Sequence, residues 1–299
     1  MGPAVGVDLE QALRLLSFAL PELTIRSVAP MDEGWESLVL DVNDELIVKI
    51  PRADWAAEKY RREQRLLTVV GPLLDTPVPR PRLIEGDPLL QMYDKLPGEM
   101  LMHGVEASVD AAAIGAQLGA FLKQLHTLSR DVLVRTGLEP GDPVHWAERW
   151  RTLAGRIEAD VLPVLSTGAR DAARAFLSSE LDARLGSFHP TLVHGDLGGW
   201  NILVDPATSS VIAILDWGDA EIGDPAFDFT AILVELPRTS FDATLATYGP
   251  LPDDGAQGRL ETYAQMYPLY SAMFAGMVGR ENVRERYLEM AEAVFDEER

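Results

Sequence analysis

The chain contains no cysteine. That excludes disulfides and thiolate metal sites and fits a cytoplasmic protein. No apolar run approaches the roughly 18 residues that a membrane-crossing helix needs, so no membrane span is expected. Residues 1–14 lack a basic start followed by an apolar core, so no secretory signal is expected either. Basic side chains are scarce: 26 Lys and Arg stand against 47 Asp and Glu, a net charge of −21. Such a surface repels nucleic acid and anionic membranes. The imbalance is uneven, −6 over residues 1–94 and −15 over residues 95–299. No internal repeat or low-complexity tract is present. What remains is a chain of 299 residues, 47% apolar, long enough to bury a sizeable core as one large domain or two smaller ones.

The pattern along the chain changes near residue 94. Before it, leucines at helical spacing predict a short helix over residues 8–20. Strands are expected at 23–29, 38–42 and 46–50, the last two joined by an Asn43-Asp44 turn. A helix rich in Ala, Glu, Arg and Leu is expected over 54–70. The proline-dense stretch 72–88 allows only turns or edge strands, and 89–93 reads as a short strand. After a Lys95-Leu96-Pro97-Gly98 connector the chain reads as mostly helical, with helices expected at 109–129, 146–153, 169–185, 228–236, 240–248 and 260–288. A strand is expected at 211–215. The expectation is an α+β chain of two lobes, a β-rich one over 1–94 and a helical one over 95–299, with a ligand cleft between them.

One stretch resists the helical reading: V-H-G-D-L-G-G-W-N-I-L-V-D, residues 193–205. It spaces Asp196 and Asn201 as D-x-x-x-x-N. An apolar strand then ends at Asp216-Trp217-Gly218. A carboxylate at a strand end plus a nearby amide oxygen suits Mg²⁺, which takes a few oxygen ligands and leaves the rest of its shell to water and phosphate. Asp196, without that duty, is the candidate base for a hydroxyl proton. Lys49, in I-V-K-I-P, is either a solvated strand residue or a phosphate ligand. Glu63 and Glu58 compete as its partner on the following helix. The turn over 32–37, ending at Ser37, is a candidate cover for a nucleotide; with one glycine it is a weak signal alone.

In this order and spacing, Lys49, Glu63, His194-x-Asp196-x-x-x-x-Asn201 and Asp216-Trp217-Gly218 resemble the protein-kinase signature. H-G-D in place of H-R-D, Leu96-Pro97-Gly98-Glu99, and Asp224-Pro225-Ala226-Phe227-Asp228 are similar to the antibiotic phosphotransferases, the aminoglycoside and macrolide kinases. The resemblance spans about residues 23–235. It implies a protein-kinase-like fold and a Mg²⁺-dependent enzyme, with two ions, that moves the γ-phosphoryl of ATP or GTP to an alcohol group. It implies Asp196 as catalytic base, Asn201 and Asp216 as metal ligands, and Lys49 with Glu63 as the phosphate-positioning pair. Met92, Tyr93 and Asp94 are then the hinge that holds the base. Asp224 or Asp228 braces the catalytic loop.

For the acceptor, the acidic C-terminal part favours an amine-bearing antibiotic, an aminoglycoside first; a macrolide or a small metabolite such as choline or homoserine is the alternative. Asp219 and Glu221 are expected either as solvated loop residues or as contacts for substrate ammonium groups. Trp200 either packs under the loop or stacks on the acceptor. Glu235, Tyr267 and Tyr270 are candidate acceptor contacts. His194 is expected to order the loop, and His126 to be a core or helix-end residue. His103, His145 and His189 show no metal spacing. A monomer is expected, with no nucleic-acid or membrane partner.

Overall fold

The computed structural model describes residues 9–31, 37–52, 54–102 and 104–296. His103 and residues 32–36 of the turn expected over the nucleotide lie outside them. The leucine stripe forms α1 (Leu9–Ala19), which buries Ala12 and Leu16 completely. One antiparallel sheet follows, built of β1 (Val28–Met31), β2 (Ser37–Val42), β3 (Leu46–Pro51), β4 (Arg82–Ile84) and β5 (Leu90–Asp94), in the order β1-β2-β3-β5-β4. The helix α2 (Asp54–Val70) connects β3 to the proline-rich stretch. That stretch yields only β4, at the sheet edge, because proline cannot donate to a ladder on both sides.

The β2–β3 turn is residues 43–45, in which Asn43 and Asp44 take φ of 64° and 61°, the left-handed region that Asn and Asp tolerate. Asn43 also explains why the first strand starts later than the expected residue 23. Its side chain accepts from the Arg26 and Ser27 amides and donates to the Thr24 carbonyl, so residues 24–27 are held by a side chain rather than by a ladder.

The rest of the chain comprises β6 (Glu99–Met100), α3 (Ala111–His126), α4 (Arg130–Thr136), α5 (Pro143–Asp160), α6 (Thr167–Ala175), α7 (Leu181–Leu185), β7 (Thr191–Val193), β8 (Ile202–Asp205), β9 (Ser210–Ile214), β10 (Glu221–Gly223), α8 (Phe229–Glu235), α9 (Arg238–Tyr248), α10 (Ala256–Met277) and α11 (Glu281–Phe295). Strands β6, β8 and β9 form one small sheet, and β7 pairs with β10. The helix expected over 260–288 is two helices, because Gly279 takes φ of 72° just past α10 and ends it. The helix expected over 169–185 is interrupted by a π turn at Phe176–Glu180. Helix α4 has no counterpart in the sequence reading; its Ser129 cap and terminal Gly137 at φ 70° are the local signals for it. No helix of the described residues is long and apolar enough to cross a membrane.

The sheet has its own core, in which Leu40, Val42, Val48 and Ile50 pack with Ala12 and Leu16 of α1. Strand alternation turns Lys49 to the opposite face. The far end of α2 belongs elsewhere: Leu66, Leu67 and Val70 share a core with Phe121 and Leu122 of α3. So α2 is anchored in the helical part while its first turns face the cleft. Helices α3 and α9 approach unusually closely at Gly115, where an added Cβ would lie 2.0 Å from the Ser240 carbonyl oxygen. Gly115→Ala is therefore expected to destabilise the protein by about 1–3 kcal/mol through overpacking, despite alanine's better helix propensity. An unchanged denaturation midpoint would contradict that packing.

Candidate active site

The stretch 193–205 is not a regular strand. Strand β7 ends at Val193, a short 3₁₀ turn covers Gly199–Asn201, and β8 starts at Ile202. Between them Gly195 adopts φ of 82°, and a Cβ there would lie 2.7 Å from the Asp219 carbonyl oxygen. Glycine is required at this position on both counts. It brings the main chain of Asp219 against the residue before Asp196. Gly198 and Gly199 serve differently from a simple flexible turn. Gly198 has an ordinary φ of −89°. A Cβ at Gly199 would lie 2.5 Å from the Leu101 carbonyl oxygen, so a close approach excludes a side chain there.

Asp228 holds this loop. Its Oδ2 accepts the His194 amide at 2.9 Å, and its Oδ1 accepts the Gly195 amide at 2.9 Å. His126 Nε2 donates to Oδ2 at 3.1 Å. Asp224, the other candidate brace, is used elsewhere: it pairs with Arg259, accepts from the Tyr263 hydroxyl and caps Ala226. His194 is also structural. Its Nε2 donates to the Leu215 carbonyl at 2.8 Å and its Nδ1 accepts from the Asp196 amide at 3.3 Å, which defines a neutral tautomer.

Asn201 lies beside Asp196, donating Nδ2 to the Asp196 carbonyl at 2.8 Å and to its Oδ2 at 2.9 Å. The Leu215 amide donates to the Asn201 carbonyl at 2.8 Å, which sets Asn201 next to Asp216. Asn201 and Asp216 are thus brought close along the backbone, and each carries a hard oxygen donor of the kind that suits Mg²⁺. Asp216 adopts φ of 55°, a left-handed conformation costly for a non-glycine residue and frequent at functional sites. Trp217 behind it is fully buried, edge-on to both Phe121 and His194.

Lys49 lies between Val39 and Gln91 in the sheet register. Its Nζ is 3.2 Å from Asp216 Oδ1. The neighbouring Asp216 and Glu63 charges hold the Lys49 ammonium in its charged form although burial opposes it. Glu63 is buried and accepts from Gln91 Nε2 at 2.9 Å, so it acts on Lys49 through its field and not through the expected direct pair. Glu58 is exposed and pairs with Arg65, 3.5 Å away, which removes it as the competitor. The Ser37 hydroxyl is engaged by the Tyr60 hydroxyl at 2.6 Å. Met92 is paired on both sides, with β3 and with Arg82 of β4. Tyr93 and Asp94 lie beyond the end of β4, where one edge of β5 is open, and the Asp94 side chain pairs with Arg82.

Asp196 is open to solvent yet closely surrounded by protein. Poor solvation and then the charges of Asp219, Asp216 and Glu235 push its carboxyl up to about 8. The expected acceptor residues divide. Asp219 Oδ1 is 2.8 Å from Lys59 Nζ. Both oxygens of Glu221 are taken by Arg149 Nη1, each at 2.6 Å. Glu235 Oε1 accepts from the Tyr267 hydroxyl at 2.6 Å and the Tyr287 hydroxyl at 3.2 Å, while Oε2 reaches the Gly199 amide at 3.4 Å. Tyr267 is therefore buried support, whereas Tyr270 is half-buried, and poor solvation, followed by the charges of Asp196 and Glu235, raises its hydroxyl pKa. Trp200 is half-buried. The sequence reading missed Lys59, Arg62, Arg149 and Tyr287. Only Lys59 carried a signal, since it stands one helical turn before Glu63 on the same face of α2.

Known proteins are similar to this chain in sequence and in fold. The chain is 29% identical over 277 residues to the viomycin phosphotransferase of Streptomyces vinaceus, covering 89% of this chain and 93% of that one. The structure superposes with a TM-score of 0.82 on APH(2")-IIia solved with GDP and kanamycin, at 19% identity, covering 95% and 97% of the two chains. It superposes with a TM-score of 0.69 on the macrolide 2'-phosphotransferase MphH of Brachybacterium faecium, at 25% identity, covering 95% and 98%. Other solved structures of this fold hold ATP or ADP. Residues 27–269 match the APH phosphotransferase enzyme family, and the chain belongs to that family.

Proposed function

We propose that this phosphotransferase moves the γ-phosphoryl group of ATP or GTP to a hydroxyl of an amine-bearing antibiotic. The observation that carries the reading is the convergence of Asp196, Asn201 and Asp216 in one cleft, with Lys49 on Asp216. Asn201 and Asp216 would hold Mg²⁺, expected as two ions, which would supply charge neutralisation at the phosphates. Lys49 leaves Asp216 for the α- and β-phosphates when the nucleotide binds, steered by the field of Glu63. Asp196 orients the acceptor hydroxyl and takes its proton. Positioning and electrostatics supply most of the rate.

The net charge of −15 over residues 95–299 supports a cationic acceptor. So do the surroundings of Asp196, where burial and the charges of Asp219, Asp216 and Glu235 raise its carboxyl pKa. An aminoglycoside such as kanamycin is the first candidate. Viomycin is the second, favoured by the relative at 29% identity. Purified protein, Mg²⁺ and either nucleotide are to be tested with kanamycin, viomycin, erythromycin and choline. Phosphorylation of kanamycin or viomycin is expected. Turnover of choline alone would refute the antibiotic reading, and turnover of erythromycin alone would refute a polycationic acceptor in favour of a macrolide.

A further inference from the structure

Three carboxylates act on the candidate base, Asp219, Asp216 and Glu235, and two of them are already used. Asp216 meets Lys49, and Glu235 accepts from two tyrosine hydroxyls and one amide. Asp219 differs. Oδ1 meets Lys59, Oδ2 has no partner among the described residues, and the side chain is 57% exposed. Its main chain touches Gly195, immediately before Asp196. An ammonium group on Asp219 therefore stands next to the base.

Lys59 is placed to aim that carboxylate. Its side chain is only 20% exposed. Its stem lies over Gly218, with Cε 3.8 Å and Cδ 3.9 Å from where a Cβ would stand. Arg62, one turn further along α2, donates to the Gly218 carbonyl oxygen. Two cationic side chains of α2 thus grip the segment just after the metal-binding aspartate. A long flexible side chain loses rotamer freedom when held this way, so a preset Lys59 lowers the cost of ordering Asp219 for an incoming ligand.

We propose that Lys59 is a positioning residue for the acceptor: it fixes Asp219 Oδ1 so that Oδ2 is presented to an ammonium group whose neighbouring hydroxyl reaches Asp196. This rests on the reading of the acceptor as an amine-bearing antibiotic. Lys59 also ties helix α2 to the loop that receives the acceptor, so the two halves of the cleft are registered before substrate binds. The second oxygen of Asp219 distinguishes this from plain charge neutralisation, since a competing Lys59 would weaken acceptor binding and an aiming Lys59 strengthens it.

The test is steady-state kinetics with kanamycin and viomycin on Lys59→Met, Lys59→Arg, Asp219→Asn and the Lys59→Met/Asp219→Asn pair. An ion pair with one partner more than half exposed is worth up to about 1 kcal/mol, so acceptor KM is expected to rise roughly fivefold in Lys59→Met. The nucleotide KM should move less than about twofold, and Lys59→Arg should recover most of the loss because a guanidinium keeps the pairing. In the Asp219→Asn background Lys59→Met should add nothing. A lower or unchanged acceptor KM in Lys59→Met overturns the role of Lys59, as does a rise of both KM values together, which marks a displaced helix. If Lys59→Met does not fold, Lys59→Arg with a fivefold higher acceptor KM than wild type also overturns it. If wild type phosphorylates neither compound, the acceptor reading fails and this role with it; if wild type turns over while Asp219→Asn binds acceptor normally, the Asp219 contact fails.

Discussion

Asp196→Asn is expected to reduce kcat by about 10³-fold while raising the melting temperature by about 2 °C at pH 8. The two effects share one cause. Poor solvation and the charges of Asp219, Asp216 and Glu235 make the Asp196 carboxylate costly in the folded protein, which is why its pKa is pushed up to about 8. The unfolded chain ionises this group near the ordinary Asp value of roughly 4. Between those two pH values the folded protein keeps a proton that the unfolded chain releases, so stability falls as pH rises from about 4 to about 8 and levels off above. The gain from Asp196→Asn should grow over the same window. Because Asp196 is solvent-accessible, the gain is held to a few degrees at most. Catalysis moves the other way, since an amide cannot take the hydroxyl proton. Thermal melts of both proteins from pH 4.5 to 8.5, beside kcat at saturating Mg²⁺ and nucleotide, check both halves. A variant that melts lower than wild type at pH 8 would show that the carboxylate is not strained, and undiminished kcat would remove it as the base.

Asp228→Ala is expected to cost about 3–5 kcal/mol of stability and at least about 10²-fold in kcat. Its carboxylate is fully buried and is the shared acceptor for the His194 amide, the Gly195 amide and His126 Nε2. Truncation orphans three buried donors, and each orphan costs about 1–3 kcal/mol. Both amides belong to the residues leading into Asp196, so the loop loses its register along with its stability. Asp228→Asn should not rescue the protein, because an amide group offers one acceptor oxygen and sets an N–H against a backbone N–H. Denaturant titration and kcat measured well below the melting temperature separate the two losses. A stable variant with normal kcat would mean that the loop is held by other contacts.

Local features of this chain were legible in its sequence. The D-x-x-x-x-N spacing, the apolar strand before Asp216, the Asn43-Asp44 hairpin and the helical leucine stripes each depend on residues close along the chain. The sheet, the helical lobe and the family followed from their order. What sequence left open was which charged group meets which. Lys49 had two glutamates on the next helix to choose from and pairs instead with Asp216, 167 residues away. Glu221 looked available for a substrate amine until Arg149, 72 residues earlier, closed on both its oxygens. Asp228, not Asp224, braces the loop because α10 brings the fully buried Arg259 onto Asp224. In a chain with 47 acidic and 26 basic side chains, every cation has several sequence-plausible partners. Propensity and periodicity act over a few residues, whereas burial and Coulomb attraction act through space. Sequence alone therefore determined the chemistry that this cleft carries, and only the tertiary structure decided which carboxylates it leaves open to a substrate.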